Sequence, residues 1–471
     1  MNVEFLFQRR HERYLRQLES WRRSAAAYSG GADYIAKALI RHLSEIEPEF
    51  LERRSRAYYF NYPRRIARLI TQYALSVDPI RTGAAPELVE DFSRRGLRVN
   101  EVMRQFSTML NVYGCAWMLI DMPNFAGEVD LDRRNREKLR PYATVLAPTR
   151  VTDWSYHSDG ELEWAVIEEE CRCAADPFQP AVRKIRRKLF TRETWLALER
   201  EASGGPVRIV GEGTHHLGVV PLIYAEEVDG FGMAANHWFE DVVRISDAIM
   251  NNESEAQMNI IKQLFGLLVI SDSFARGARA AERQNGRTDG QFSHVIARSA
   301  AIVESPEERG ISRYIAPGGA ETAEIRAENL TLKREMFEVV GMSLAKETRA
   351  TESAESKAWD QQLLRQFLAS RSELLEQSEI AAWKMMRCYD PSIPLPTVSY
   401  NRDFSVVDLK ESVEALLGLN KITAGLTYRR EIARTAVSLL EKFKKISPDD
   451  YQQVLKEISE IEKFDQETAD V

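Results

Sequence analysis

Residues 320–343 run AETAEIRAENLTLKREMFEVVGMS. Ile325, Leu332, Met336 and Val339 return at helical spacing, with charges between them, so the spacing predicts a long amphipathic helix. A partner pattern precedes it at 236–264, where Val242, Ile245, Ile249, Ile260 and Leu264 lie on or near one helical face. Between the two, Leu267–Ile270 reads as a strand and Ser273–Gly290 as a Gly- and Arg-rich helix and loop. Short strands are expected near His294–Ala297 and Ala301–Glu304, and Pro317-Gly318-Gly319 closes this small unit. A polar stretch, Lys346–Ser356, follows the second helix. A third helix is then expected from about 354 to 388, with apolar pairs Leu363/Leu364, Phe367/Leu368, Leu374/Leu375, Ala381/Ala382 and Met385/Met386. At 1.5 Å per residue it measures roughly 52 Å, the length of a structural spine.

Outward from this centre, the N-terminal side is helical and then β-rich. Residues 1 to about 75 alternate apolar residues and arginines at helical spacing. Ser29-Gly30-Gly31 breaks the pattern, a long helix is expected through Tyr34, Ile35, Leu39, Ile40 and Leu43, and another carries Ala57, Tyr58, Ile66, Leu69, Ile70 and Tyr73, with Pro63 interrupting it. Two more helices are expected over 85–112. Val112–Asp121 then reads as a buried strand, followed by short strands at Tyr142–Leu146, Val151–Trp154, Glu163–Ile167, Lys188–Thr191 and Val219–Tyr224. On the C-terminal side, Pro391, Pro394 and Pro396 end the spine, Val398–Asp403 reads as a strand, and the rest is helical. There Ser447-Pro448-Asp449-Asp450 is a helix start, with a Ser N-cap, Pro in the first turn and acids at the positive end of the dipole.

Composition narrows the function classes. A chain of 471 residues exceeds one ordinary core, so several domains are expected. Its hydrophobic share of 44% and charged share of 29% fit a folded protein. The net charge of -7 excludes a polycation that coats nucleic acid by bulk charge. Four cysteines do not make a disulfide scaffold, which suits a reducing compartment. No stretch reaches the 18 apolar residues of a membrane span, and the arginine-rich N-terminus lacks the apolar core of a secretory signal. Residues 1–72 hold 14 Lys or Arg against 8 Asp or Glu; solvated helix faces and an acidic partner both explain that excess.

Catalytic and cofactor motifs are sparse in the sequence. No GxxxxGK[ST] loop is present. Gly230-Phe231-Gly232 precedes a helix, but Glu226, Glu227 and Asp229 place acids where a phosphate would sit. Ser343-Leu344-Ala345-Lys346 lacks the other motifs of the serine enzymes that use SxxK. Cys171/Cys173 and His215/His216 lack metal-site spacing, so no metal and no cofactor is expected. The chain is expected not to be an enzyme. The rival readings are an enzyme built on unpatterned residues such as His215, His216 and Asp153, and a helical adaptor that binds partners through its long helices.

The order of elements resembles the portal proteins of tailed bacteriophages. Glu52-Arg53-Arg54 through Tyr58-Tyr59-Phe60-Asn61 is similar to the portal pattern of acid, Arg, aromatic and Asn before an apolar helix. Leu110–Pro123, with Tyr113-Gly114 before an apolar strand ending in Asp121, looks like the portal "YG…D.P" segment. Arg140-Pro141-Tyr142 through Val151-Thr152-Asp153-Trp154, Leu217–Leu222 and Gly418–Arg430 resemble the segments that follow, in the same order and over nearly the whole chain.

The resemblance implies an α+β portal fold. Its parts would be a helical and β-rich wing (1–230), a first stem helix (231–265), a small α/β clip (266–319) and a second stem helix (320–344). A tunnel loop (345–357), a wing spine helix and strand (358–404) and a helical crown (405–471) would complete it. It implies a dodecameric homo-oligomeric ring at one capsid vertex, passing double-stranded DNA during packaging and ejection. The partners implied are the terminase large subunit, then a head–tail adaptor, with major capsid and scaffold proteins around the ring. The protein would be assembled in host cytoplasm, reside in the virion and touch no membrane. Lys346, Arg349 and Lys357 would touch DNA from the tunnel loop, and Arg276, Arg279, Arg283 and Arg287 would make clip contacts. The two stem helices carry ten acids and five bases, and Glu321, Glu324, Glu328 and Glu335 would line an acidic channel.

Overall fold

The computed structural model describes residues 2–123, 136–137, 139–173, 178, 180–227, 237–264, 267–271, 302–305, 313–315, 319–341, 354–404, 425–443, 453–454 and 456–458. The chain divides into two compact units, Met1–Asp403 and Phe404–Val471. The fold is mixed α+β, as expected.

The entry helices are α1 (Val3–Gln8), α2 (Glu12–Ser29), α3 (Ala32–Ala38), α4 (Glu47–Arg56) and α5 (Tyr62–Ala74). Two expectations are corrected here. The helix through Leu43 stops at Ala38, because side chains capture the backbone that would continue it. The Ile40 amide donates to Asn251 Oδ1 at 2.8 Å, and the Ile40 carbonyl accepts from Arg53 at 2.6 Å. The helix expected to carry Ala57 and Tyr58 as well begins only at Tyr62, because α4 ends at Arg56 and Pro63 marks a new start. Pro63 sits in the first turn of α5, where a missing amide costs nothing, and Asn61 Oδ1 caps the start by accepting from the Arg64 amide at 2.8 Å.

Next come β1 (Ile80–Thr82), α6 (Pro86–Glu90), α7 (Val99–Tyr113) and β2 (Cys115–Asp121). The strand starts later than its apolar run, because α7 continues to Tyr113 and closes on Gly114 at φ 74°. β2 is the centre of a three-stranded antiparallel sheet with β3 (Tyr142–Leu146) and β9 (Leu222–Glu226). Strand alternation divides its side chains between two cores. Ala116, Met118 and Ile120 enter the larger one with α7 residues such as Phe106 and with Leu375, Ala382 and Trp383. Cys115, Trp117 and Leu119 enter a second with Tyr14, Trp21 and Trp154.

The β-rich region is a five-stranded antiparallel meander of β4 (Val151–Tyr156), β5 (Leu162–Cys173), β6 (Val182–Thr191), β7 (Thr194–Glu201) and β8 (Arg208–Thr214), paired in sequence order. The outer halves of β5 and β6 escape apolar patterning because charge pairs hold them, whereas β7 sends Leu196 and Leu198 into a small core with Phe7. Glu168 faces Arg187, Glu169 faces Arg186, and Arg186 and Lys184 both reach Glu199.

α8 (Trp238–Leu264) and α9 (Ala320–Glu338) are the two long helices, and α10 (Ala354–Tyr389) is the spine. Between α8 and α9, β10 (Leu267–Ser271) pairs in parallel with β11 (Ile302–Ser305) and antiparallel with β12 (Arg313–Ile315); β12 was not expected. After α10, β13 (Thr397–Ser399) is shorter than expected and pairs back onto β1. The second unit contains α11 (Leu426–Phe443); the Ser447 helix start lies outside the described residues. Among the described residues no helix is long and apolar enough to cross a membrane.

Candidate functional site

The α8–α9 pair holds the charges that the reading depends on. Asn252 Nδ2 donates to Asn329 Oδ1 at 3.0 Å, and Asn259 Nδ2 donates to Thr322 Oγ1 at 3.1 Å. A step of seven forward along α8 is a step of seven back along α9, so the helices are antiparallel. The next step brings Ile245 level with Met336, which is fully buried. Asn329 is 1% exposed and also donates to Glu253 Oε1 at 2.9 Å. Hydrogen-bonded amides at a seven-residue repeat match only in one register.

Other sides of α8 are fixed to the entry helices. Asp247 accepts from Tyr34 Oη and from Arg23 at 2.8 Å. Ser254 Oγ accepts from Arg53 at 2.9 Å, and Arg53 also grips Glu45. Burial, then the Asp247 carboxylate, pushes the Tyr34 hydroxyl far above its ordinary range.

The ten acids of the pair differ in their surroundings. Asp247 is buried and ion-paired, Glu253 bonds Asn329, and Glu240 is engaged by Ser20 and Arg244. On α9, Glu321, Glu324, Glu328, Glu335 and Glu338 are all exposed and form no ion pair among the described residues. At 3.6 residues per turn they fall within an arc of roughly 100°. Lys333 and the exposed Arg326 occupy a different side, and the exposed Arg334 lies one turn before Glu338.

The start of α8 is tied to the spine through Glu227. Its Oε2 accepts from Arg371 Nη2 at 2.7 Å, His237 Nε2 at 3.0 Å and Trp238 Nε1 at 3.2 Å. The Arg371 side chain is 1% exposed. Burial alone would raise the Glu227 carboxyl, but Arg371 and His237 outweigh it and hold it at about 2. Burial holds the His237 imidazole below its ordinary range. Glu227 and His237 line a cavity of about 410 Å³ with Arg13, Trp21, Cys115 and Asp241. Burial pushes the Cys115 thiol up to about 12, so it is not a thiolate at neutral pH.

The remaining candidates separate. Lys346, Arg349, Arg276, Arg279, Arg283 and Arg287 lie outside the described residues. Lys357 belongs to the first turn of α10, which starts at Ala354, rather than to a loop. The enzyme candidates are not brought together. Asp153 is on β4 and pairs with Arg9 at 2.8 Å, whereas His215 and His216 follow β8 at the opposite edge of the five-stranded sheet. Among the described residues no group of three His, Cys, Asp or Glu is placed to hold a metal ion. The residues that sequence reading missed are Asn252, Asn259, Thr322 and Asn329, together with Glu227, His237 and Arg371. A signal for the first group was present as polar residues seven apart; Glu227 was visible only as one of the acids before Gly230.

No protein-family model matches the chain, and no curated protein matches it. Solved structures are similar at low identity. A chain from the neck of a native GTA particle computed with C12 symmetry has a TM-score of 0.42 and 11% identity, covering 79% of this chain and 90% of that one. A chain from the neck of an empty GTA particle computed with C6 symmetry has a TM-score of 0.41 and 11% identity, over 78% and 88%. A chain from the virion of a native gene transfer agent (GTA) particle has a TM-score of 0.40 and 12% identity, over 87% and 98%.

Proposed function

We propose that this chain is the subunit of a phage portal: a homo-oligomeric ring at one capsid vertex that conducts double-stranded DNA and performs no catalysis of its own. The observation that carries the reading is the α8–α9 hairpin. It is locked in one register by amides, fixed to the wing by Asp247 and Ser254, and lined along α9 by unpaired carboxylates.

The physics suits a conduit. A wall of Glu321, Glu324, Glu328, Glu335 and Glu338 repels phosphate. DNA then slides past without the tight, salt-sensitive attachment that lysines and arginines give. Lys346, Arg349 and Lys357 would supply the few transient phosphate contacts, and the 266–319 segment with its arginines would face the terminase large subunit and later the head–tail adaptor. Major capsid and scaffold proteins would surround the ring at assembly.

The test is the native mass of the purified chain together with images of the same sample. A closed ring of about twelve subunits, built by head-to-tail contacts that close on themselves, with a hole that admits a duplex, is the expected result. A chain that stays monomeric or dimeric at every concentration and with scaffold protein present sinks the reading.

A further inference from the structure

α9 presents two flanks of opposite charge, and each is a single stripe. Thr322, Asn329 and Met336 form the stripe that packs on α8, and all three are buried. One residue before each of them is a glutamate: Glu321, Glu328 and Glu335, all exposed. Four residues after the first two are Arg326 and Lys333, and Arg334 and the half-exposed Leu330 continue that side. At 3.6 residues per turn Arg326 and Lys333 stand roughly 140° from the nearest glutamates of that stripe, on the other side of the α8 contact, and Arg334 lies further round, about 40° from Glu338. Neither stripe has an ion-pair partner among the described residues. The glutamates Glu321, Glu328 and Glu335 run the length of the helix with no base in their stripe, and Arg326 and Lys333 have no acid in theirs. Glu324 and Glu338 lie further round, on the side away from α8.

A helix held to its own chain by one stripe and carrying unlike charge on its flanks is complementary to a translated copy of itself. We infer that α9 docks side by side on α9 of a second copy, with Glu321, Glu328 and Glu335 of one against Arg326, Lys333 and Arg334 of the next. The contact is heterologous. Each subunit offers both halves, so it propagates until it closes. Flanking charges of this kind set partner and register in packed helices. The inference rests on the ring reading and deepens it by naming a surface between neighbours. It also divides the acids: three serve the seam, and Glu324 and Glu338 face the channel.

The experiment uses two full-length variants. The first changes Glu321, Glu328 and Glu335 to Lys, so both flanks are basic; the second changes Arg326, Lys333 and Arg334 to Glu, so both are acidic. All substitutions are at surface positions of α9, and circular dichroism and melting show whether each variant keeps the wild-type fold. Native mass is then measured for each variant alone and for the two mixed at equal concentration. The expected result is at least a tenfold loss of ring from each variant alone. The mixture, in which unlike flanks meet, restores rings that contain both chains in equal number. Screening should weaken the wild-type seam as well, so ring yield falls as salt rises past the Debye range. If each variant alone forms rings as the wild type does, the flanks are not apposed; the inference then fails while the portal reading stands. If both variants fail alone and their mixture also fails despite native folds, the pairing is wrong. A wild-type chain that never forms rings overturns both readings.

Discussion

Glu227 concentrates three donors on one carboxylate oxygen, and that arrangement dictates how the anchorage of α8 answers to pH. His237 Nε2 donates to Glu227 while His237 Nδ1 accepts from the Phe239 amide at 3.4 Å, so the ring is neutral with both nitrogens engaged. Its folded pKa lies below the ordinary value, so the unfolded chain takes up the proton first and stability declines as pH falls below about 6.5. Glu227 works in the opposite sense. Its folded pKa of about 2 lies below the carboxylate range, so its contribution is complete above that range and disappears as pH falls toward 2. Urea unfolding against pH should therefore show two declines, and His237→Gln should diminish only the upper one, to which His11 and His215, also held low by burial, contribute as well. Glu227→Gln leaves Arg371 buried without a counter-charge, and a loss of about 3 kcal/mol in unfolding free energy is expected; a loss below about 1 kcal/mol would contradict the tie. Gly114 adjoins the same ring. A Cβ there would stand 2.8 Å from His237 Cδ2, on a residue at φ +74°. Gly114→Ala should cost more than the roughly 1 kcal/mol of a strained turn alone, and the excess should vanish in a His237→Ala background.

At the scale of elements, the amide seam exchanges stability for register. Asn329→Ala strands the partners of a residue that is 1% exposed, so a loss of about 1–3 kcal/mol is expected. Replacing Asn252 and Asn329 together by Leu should recover much of that loss while weakening the single register. A double-mutant cycle in chemical denaturation checks the first expectation, and the homogeneity of assembled particles checks the second. The helices of this hairpin were legible because their apolar residues keep one period over many turns; the bounds expected for 236–264 and 320–343 are close to those observed. Their pairing was not legible, because Asn252 and Asn329 look like surface residues until both are placed. The same limit hid the outer halves of β5 and β6, where Glu168–Arg187 pairs replace apolar alternation. It also hid the stop at Ala38, which depends on Asn251 and Arg53 far along the chain. The acids on α8 and α9 were visible as a count, but the count could not separate Asp247, buried against Tyr34, from Glu328, exposed. Local period survives in one dimension, whereas exposure and partnership are properties of the packed pair.

For the whole molecule, the proposed function turns on the sign of the charge that meets the duplex. An acidic wall makes contact with DNA weak and leaves little counterion release, so the affinity of assembled rings for a duplex should vary little with salt. The dependence steepens by about 0.9 in log–log slope for each phosphate neutralised. Glu324 and Glu338 are exposed, unpaired among the described residues and away from the α8 contact. Changing both to Lys would place a basic stripe along every copy of α9 without touching the buried seam. Rings of that variant should assemble as the wild type does, bind duplex DNA more tightly at low salt, and lose it on addition of salt with a slope steeper by several units. A single-stranded end threaded into the ring is not needed; a short linear duplex and a fluorescence titration suffice. Assembly that is intact with a salt slope unchanged from wild type would place Glu324 and Glu338 away from the DNA. A steep slope already present in the wild type would mean that cations, not acids, meet the phosphates, and the conduit would then grip its cargo rather than let it slide.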